Sequence, residues 1–386
     1  MTLAESVIQW YDQNARDLPW RVPGTSAWAV LVSEVMLQQT PVVRVTPAWQ
    51  AWMTRWPTPA ALAEDPPSEA IRMWGRLGYP RRAMRLHACA VAIVERHGGQ
   101  VPDDLDQLLA LPGVGTYTAR AVATFAYGQR HPVVDTNVRR VVSRAVAGDP
   151  DAGPTTTTAD LTAMAELLPL EPAQAARASI AFMELGAIVC VARAPRCGQC
   201  PFEQVCAWHQ SGAPAPEGPT RRPQKYAGTD RQVRGLLLEV LRHTTGPVPR
   251  QRLDQVWADD VQRARALSGL VTDGLVEPLD SDADRFVLAG DHPTRYPPVT
   301  GSGRSPGSSP GFRVEWISRT RSVTSRMATV HSSTYRSAAS PLSPSCSDRY
   351  GSAVSCRERS GSHCTRTGLR RSRRDHSARV SPALWS

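Results

Sequence analysis

The sequence predicts an all-α protein, and three observations carry that expectation. From Glu5 to about Gln210, apolar residues recur at the helical spacings of three and four, as in Leu105, Leu108 and Leu109 or Ala119, Val122 and Phe125. Proline or glycine interrupts the pattern at short intervals, so the helices should be short and number about a dozen. No stretch of this region alternates apolar and polar residues as a half-buried strand would.

Composition divides the rest of the 386 residues. Residues 211–228, SGAPAPEGPTRRPQKYAG, read as a Pro/Gly-rich linker. Residues 229–290 read as a small unit of three helices, RQVRGLLLEVLRH, PRQRLDQVW and VQRARALSGLVTDGLV, with a short hairpin in EPLDSDADRFVLAG. That is the outline of a winged helix, and it suits a packing or dimerisation module equally well. Residues 291–386 are rich in Ser, Arg, Pro and Gly and are predicted to be disordered, because they bury too little to offset their ordering entropy. The net charge of +10 belongs to that tail, which holds 16 arginines against five acidic residues and leaves residues 1–290 at −1. Bulk basicity therefore says little about the partner of the folded part. No apolar run is long enough to span a bilayer, so no membrane is expected. The opening MTLAESVIQWYDQNARDLPW reads as an amphipathic helix with acidic residues rather than a secretory signal, which indicates a cytoplasmic, thiol-reducing setting.

Four of the eight cysteines fall within seventeen residues, CVARAPRCGQCPFEQVC. Cys190, Cys197, Cys200 and Cys206 have the spacing C-x6-C-x2-C-x5-C, and a reducing compartment disfavours pairing them as disulfides. Four thiolates in one loop match the ligand count of tetrahedral zinc or of a 4Fe–4S cluster. Zinc ribbons usually pair two C-x2-C knuckles, and only one is present here. The wider gaps suit a loop wrapped around a larger object, which favours the cluster and leaves zinc open. Cys89 lies inside a helix and reads as a buried small apolar residue. Cys346, Cys356 and Cys364 lack ligand spacing and receive no role.

Several further stretches bear on chemistry. LPGVGTYTARAVATFAYG (111–128) contains a tight turn, Leu111, Gly113, Val114 and Gly115 included, leading into a helix whose free amides suit a phosphate. PVVDTNVRRV (132–141) sets Asp135 just before a helix, a favoured N-cap position. SEVMLQQTPV (33–42) places Glu34 among Val32, Met36 and Leu37, though a helix carboxylate would ordinarily be exposed. Together with the cysteine loop, these stretches resemble the endonuclease III superfamily of DNA glycosylases over roughly residues 5–210. SEVMLQQTPV and WGRLGYPRRAMRLH (74–87) resemble its adenine-specific, MutY-type branch.

The resemblance implies a six-helix lobe over about 22–131 and a cluster lobe from 1–21 plus 132–210. Double-stranded DNA would lie between them, and the four cysteines would hold a 4Fe–4S cluster. It makes Asp135 the catalytic carboxylate facing the sugar, Asn137 its partner, and Glu34 the acid that protonates adenine N7. Tyr117 stands where strand-nicking relatives carry lysine, and residues 1–210 contain no lysine at all, which implies a monofunctional enzyme. Gln39 and Tyr79 match the wedge positions that enter the base stack. Trp20 and Arg21 match the lining of the adenine pocket, with Leu37 beside it. The expected activity is excision of adenine mispaired with 8-oxoguanine or guanine, by a monomer. The alternatives are a T:G or U:G mismatch glycosylase and a non-catalytic DNA-binding protein. The sequence departs from the family's pattern at Thr136 (often Gly), Pro80 (often Tyr) and Ile180 (often Gln or Glu). The roughly sixty residues after the linker are also too few for the Nudix-like domain that many relatives use to read 8-oxoguanine.

Overall fold

The computed structural model describes residues 1–153, 155–215, 225–279 and 284–291. The predicted disorder of the tail, its three cysteines and the middle of the linker lie outside the described residues.

The first helix, α1 (Leu3–Asn14), is closed by a capping box in which Thr2 and Glu5 exchange bonds. It does not join the helices that follow it. Its Ala4 and Val7 instead complete a core built from α9 to α12. Between residues 22 and 131 run α2 (Ala27–Leu37), α3 (Val42–Arg55), α4 (Pro59–Glu64), α5 (Pro67–Trp74), α6 (Arg81–His97), α7 (Leu105–Leu109) and α8 (Thr116–Phe125). These are seven helices where six were expected. One reason is local: Pro66 holds Asp65 extended at ψ 151°, which separates α4 from α5. Their core is rich in tryptophan, with Trp52 edge-on to both Trp56 and Trp74 at 4.8 and 5.5 Å. Trp28 and Trp49 bury their rings and spend their indole N–H groups on the carbonyls of Trp56 and Ala29.

The second core gathers α9 (Thr136–Val142), its widened final turn Ser143–Ala147, α10 (Thr158–Leu167), α11 (Pro172–Ile188) and α12 (Ala207–Gln210) around Phe182, Phe202 and Trp208. At Gly186 of α11 an added Cβ would sit 2.7 Å from the Asn137 carbonyl, so the two helices can approach this closely only with glycine there.

A third core follows the linker: α13 (Asp230–Arg242), β1 (Val248–Pro249), α14 (Arg250–Asp254), α15 (Asp260–Thr272), β2 (Val276–Pro278) and β3 (Arg285–Leu288). The sheet is antiparallel in the order β1-β3-β2. The two-residue β1 is too short to leave a period in the sequence, which showed only the hairpin. Ile71 of α5, fully buried, belongs to this third core rather than to the first. Around it Arg242 donates to the Ile71 carbonyl at 3.1 Å, and Arg72 bonds the Thr244 carbonyl and Asp291. Ile71, together with the partly buried Met84 of α6, thus fastens the small unit to the helices of the first core. Ile71→Ala should cost about 2–5 kcal/mol of stability, read as a lower urea midpoint for amide-hydrogen protection of α13 and α15. An unchanged midpoint would mean that the unit is not held there.

Candidate active site in the cleft between the two larger cores

A cleft of about 1310 Å³ opens between the first two cores. Its walls come from α2, the Pro19–Arg21 turn, the start of α8, the start of α9 and one face of α11. Every residue from Trp28 to Met36 of α2 is buried, so this helix has no wet face, and Glu34 is carried inside it at 6% exposure. Leu18, Trp20, Val30, Leu37 and Val134 line the same cleft. Tyr117, from the first turn of α8, donates its hydroxyl to Glu34 Oε2 at 3.0 Å. Burial drives the Glu34 pKa from 4.5 up to about 7. The Tyr117 bond and the charge of Arg21 oppose that rise, and the charge of Asp135 adds to it. Burial, reinforced by the two carboxylates, holds the Tyr117 phenol well above its ordinary value, so it remains a donor.

Asp135 faces this pair from the N-cap of α9. Its Oδ1 accepts from the Val138 N–H at 2.7 Å and its Oδ2 from Asn137 Nδ2 at 2.8 Å. Burial raises the Asp135 pKa while these bonds and Arg140 pull it back. The helix cap and the carboxylate in the cleft are therefore the same group. Arg140 donates through Nη2 to Asn137 Oδ1 at 2.8 Å and to the Gly186 carbonyl at 2.6 Å, and through Nε to the Cys190 carbonyl at 2.6 Å. The first cysteine of the loop is thus joined to the Asp135 carboxylate through Arg140 and Asn137.

Trp20 is buried with its ring edge-on to Trp49 at 5.8 Å. Arg21 lies in the cleft 2.9 Å from Glu184, a fully buried carboxylate that also takes Arg16 at 2.6 and 2.8 Å. These contacts hold Glu184 below its usual pKa although burial alone would raise it. Sequence reasoning missed this pair. The signal available was a lone acid within the apolar run ASIAFMELGAIVC. Leu37, Gln39 and Ile180 line the cleft, while Tyr79 stands half exposed on the loop before α6. The Leu111 and Val114 side chains are buried in the first core at 3% and 8% exposure and anchor the turn there. Only the backbone of that turn, with Gly113 and Gly115, borders the cleft. Gly113 is fixed as glycine by a φ of 78° and by Arg85, whose Cβ would lie 2.7 Å from an added Cβ.

Cys190, Cys197, Cys200 and Cys206 lie on one loop against the second core. Cys200 is pushed up to about 12 by burial and, further, by the charges of the other three thiols, so all four share one neighbourhood. Arg144 Nη1 comes within 3.5 Å of Cys190 Sγ. Among the described residues no three potential ligands converge tightly enough to grip a single ion. The donor set, four thiols on one loop, is the set an iron–sulfur cluster takes. Cys89, elsewhere, is a core residue whose thiol burial pushes up to about 12.

Residues 32–166 match the model for the HhH-GPD superfamily base excision DNA repair proteins, which defines the class of the fold and of its cleft. The chain is 58% identical to the adenine DNA glycosylase of Mycolicibacterium smegmatis over 293 residues, 75% of this chain and 97% of that protein. It is 54% identical to that of Mycobacterium tuberculosis over 288 residues, 74% and 93% respectively. With the human adenine DNA glycosylase it shares 44% over 215 residues, 53% of this chain and 39% of the human protein. The chain belongs to the adenine DNA glycosylase family.

The buried Glu34 makes stability depend on pH in a set direction. The unfolded chain releases this proton near pH 4.5, whereas the folded protein keeps it until about 7. Wild-type stability should therefore fall as pH rises through that window and level off above it. Glu34→Gln removes the effect. It should be more stable than wild type by about 3 kcal/mol near pH 8 and no more stable near pH 4, measured by thermal melting. An equal effect at both pH values would contradict the raised pKa.

Proposed function

We propose that this cleft hydrolyses the N-glycosidic bond of adenine mispaired with 8-oxoguanine or guanine in duplex DNA, leaving an abasic site. One observation carries the reading: a buried carboxyl with a pKa near 7 faces a cleft whose opposite wall holds a hydrogen-bonded carboxylate. Adenine leaves poorly as an anion, so the reaction needs an acid that still holds its proton at neutral pH. Glu34 donates that proton to N7, and the electrons of the C1′–N9 bond pass to the departing base. Positive charge then builds on the sugar, where Asp135 stabilises it until water adds at C1′. The bonds from Asn137 and the Val138 amide favour the ionised form of Asp135 and oppose the rise that burial causes. Tyr117 orients Glu34 and offers no amine. No lysine occurs in residues 1–210, so no Schiff base forms and the strand is not nicked.

The other assignments follow the family resemblance and the placement of each residue. Trp20, Arg21 and Leu37 form the base pocket, and Gln39 and Tyr79 wedge the duplex when adenine is flipped out. The Gly113–Gly115 backbone at the start of α8 takes a phosphate. The four cysteines hold a 4Fe–4S cluster, whose contribution is to tie the loop into a rigid body. Residues 229–290 act as a winged-helix-like unit, and the protein works as a monomer at the nucleoid in the cytoplasm. No helix among the described residues is long and apolar enough to cross a membrane.

Single-turnover base release from duplexes carrying A:8-oxoG, A:G, T:G and U:G tests the reading. The adenine mispairs should be cleaved and the pyrimidine mispairs left intact, with strand breaks appearing only after alkali. Asp135→Asn should abolish release while duplex binding persists, because the phosphate contacts remain. Faster processing of T:G than of either adenine mispair would replace this reading with that of a mismatch glycosylase.

A further inference from the structure

The two wedge residues sit on separate loops, and both adopt backbone conformations unusual for residues with a side chain. Gln39 has a φ of 54° and Tyr79 a φ of 48°, next to Gly78 at 84°. Each such residue is disfavoured by about 1–2 kcal/mol, so something must hold the loops in this form.

The group that meets both loops is Arg82, 6% exposed, in the first turn of α6. Its Nη1 lies 2.8, 3.0 and 2.7 Å from the carbonyls of Val35, Met36 and Gln38. Its Nη2 donates to Thr40 Oγ1 and to the Gly78 carbonyl, both at 3.0 Å. The contacts flank Gln39 on both sides and reach the residue just before Tyr79. They also satisfy carbonyls at the C-terminal end of α2, where a helix leaves them unpaired and where a cation is favoured. The guanidinium lies 5.0 Å from the Trp74 ring centroid and 5.6 Å from that of Tyr79. Trp74 adds its own bond to the Gly78 carbonyl at 2.9 Å, and Arg44 ties the loops again through the Arg76 carbonyl. Burial lowers the Arg82 pKa to about 10, which leaves it charged at neutral pH.

We infer that Arg82 is a positioning residue for base flipping, locking the Gln39 and Tyr79 loops into one preformed wedge and fixing that wedge to the helix that carries Glu34. The inference rests on the wedge roles given above. Its chemistry calls for arginine in particular. A planar fork can serve carbonyls on two loops at once, and the point charge of lysine cannot span them. The consequence is selective. Adenine that must be pulled out of a stacked pair needs the wedge, whereas adenine facing a gap is already unpaired and needs only the acid and the carboxylate.

The test compares wild type, Arg82→Lys and Arg82→Gln on two duplexes, one with A:8-oxoG and one with adenine opposite a stable abasic-site analogue. Single-turnover release and thermal melting are measured for each protein. Wild type must first release adenine from A:8-oxoG; if it does not, the functional reading itself fails. Given that it does, the variants should lose about 10²-fold on A:8-oxoG, the scale of an ångström-sized misplacement. On the gapped duplex they should change by no more than about twofold, as a substitution remote from the chemistry would. Equal losses on both duplexes, whether or not melting falls, would overturn the inference, because a general loss of structure makes no distinction between them. Full activity of Arg82→Lys on A:8-oxoG would overturn it as well.

Discussion

The burial of one carboxyl, Glu34, is the constraint around which the first two cores are arranged. A carboxylic acid inside a wholly buried helix destabilises the fold at neutral pH, and the structure compensates only in part. The Tyr117 hydroxyl is its sole side-chain hydrogen-bond partner among the described residues. Among the described residues no arginine forms an ion pair with it. Arg21, the nearest cation by its influence, is drawn instead onto Glu184. Had Arg21 paired with Glu34, the pKa would have fallen and the acid would be spent at physiological pH. The fully buried Glu184 takes up Arg16 and Arg21, and neither is paired with Glu34.

Asp135 is supplied with donors more fully than Glu34. It is also desolvated, and burial raises its pKa, yet it accepts an amide from the backbone and another from Asn137, both of which favour the ionised form and oppose that rise. Two carboxyls in one cleft thus differ in the donors that surround them, the kind of difference that can divide acid and anion roles. The arrangement depends on close packing of α9 against α11 at Gly186 and on Arg140, which joins Asn137 to the cysteine loop. Disturbing the loop should therefore be felt at Asp135 without any chemistry at the cysteines.

Much of this was legible in the sequence because it is local. Helical period, the Asp135 cap, the LPGVG turn and the C-x6-C-x2-C-x5-C spacing are all properties of short stretches. What escaped was long-range. Glu184 meets Arg16 across 168 residues, and Arg82 reaches back to Val35, so neither leaves a local pattern. Ile71 reads as an ordinary apolar position of α5, and nothing in the period reveals that it serves a core assembled 160 residues later. At Leu111 and Val114 the motif and its anchoring coincide. The motif marks a turn that approaches phosphate with its backbone, and such a turn is anchored by burying the very side chains that identify it.

The central claim is that protonation of N7 by Glu34 makes adenine able to leave. A duplex carrying 7-deaza-adenine opposite 8-oxoguanine tests it most directly, because carbon at that position offers no lone pair to accept the proton. The wild-type enzyme should bind this duplex about as tightly as the natural mispair and release no base from it. Release at the rate seen with natural adenine would contradict the account, since the base would then leave with no acceptor at that position for the Glu34 proton.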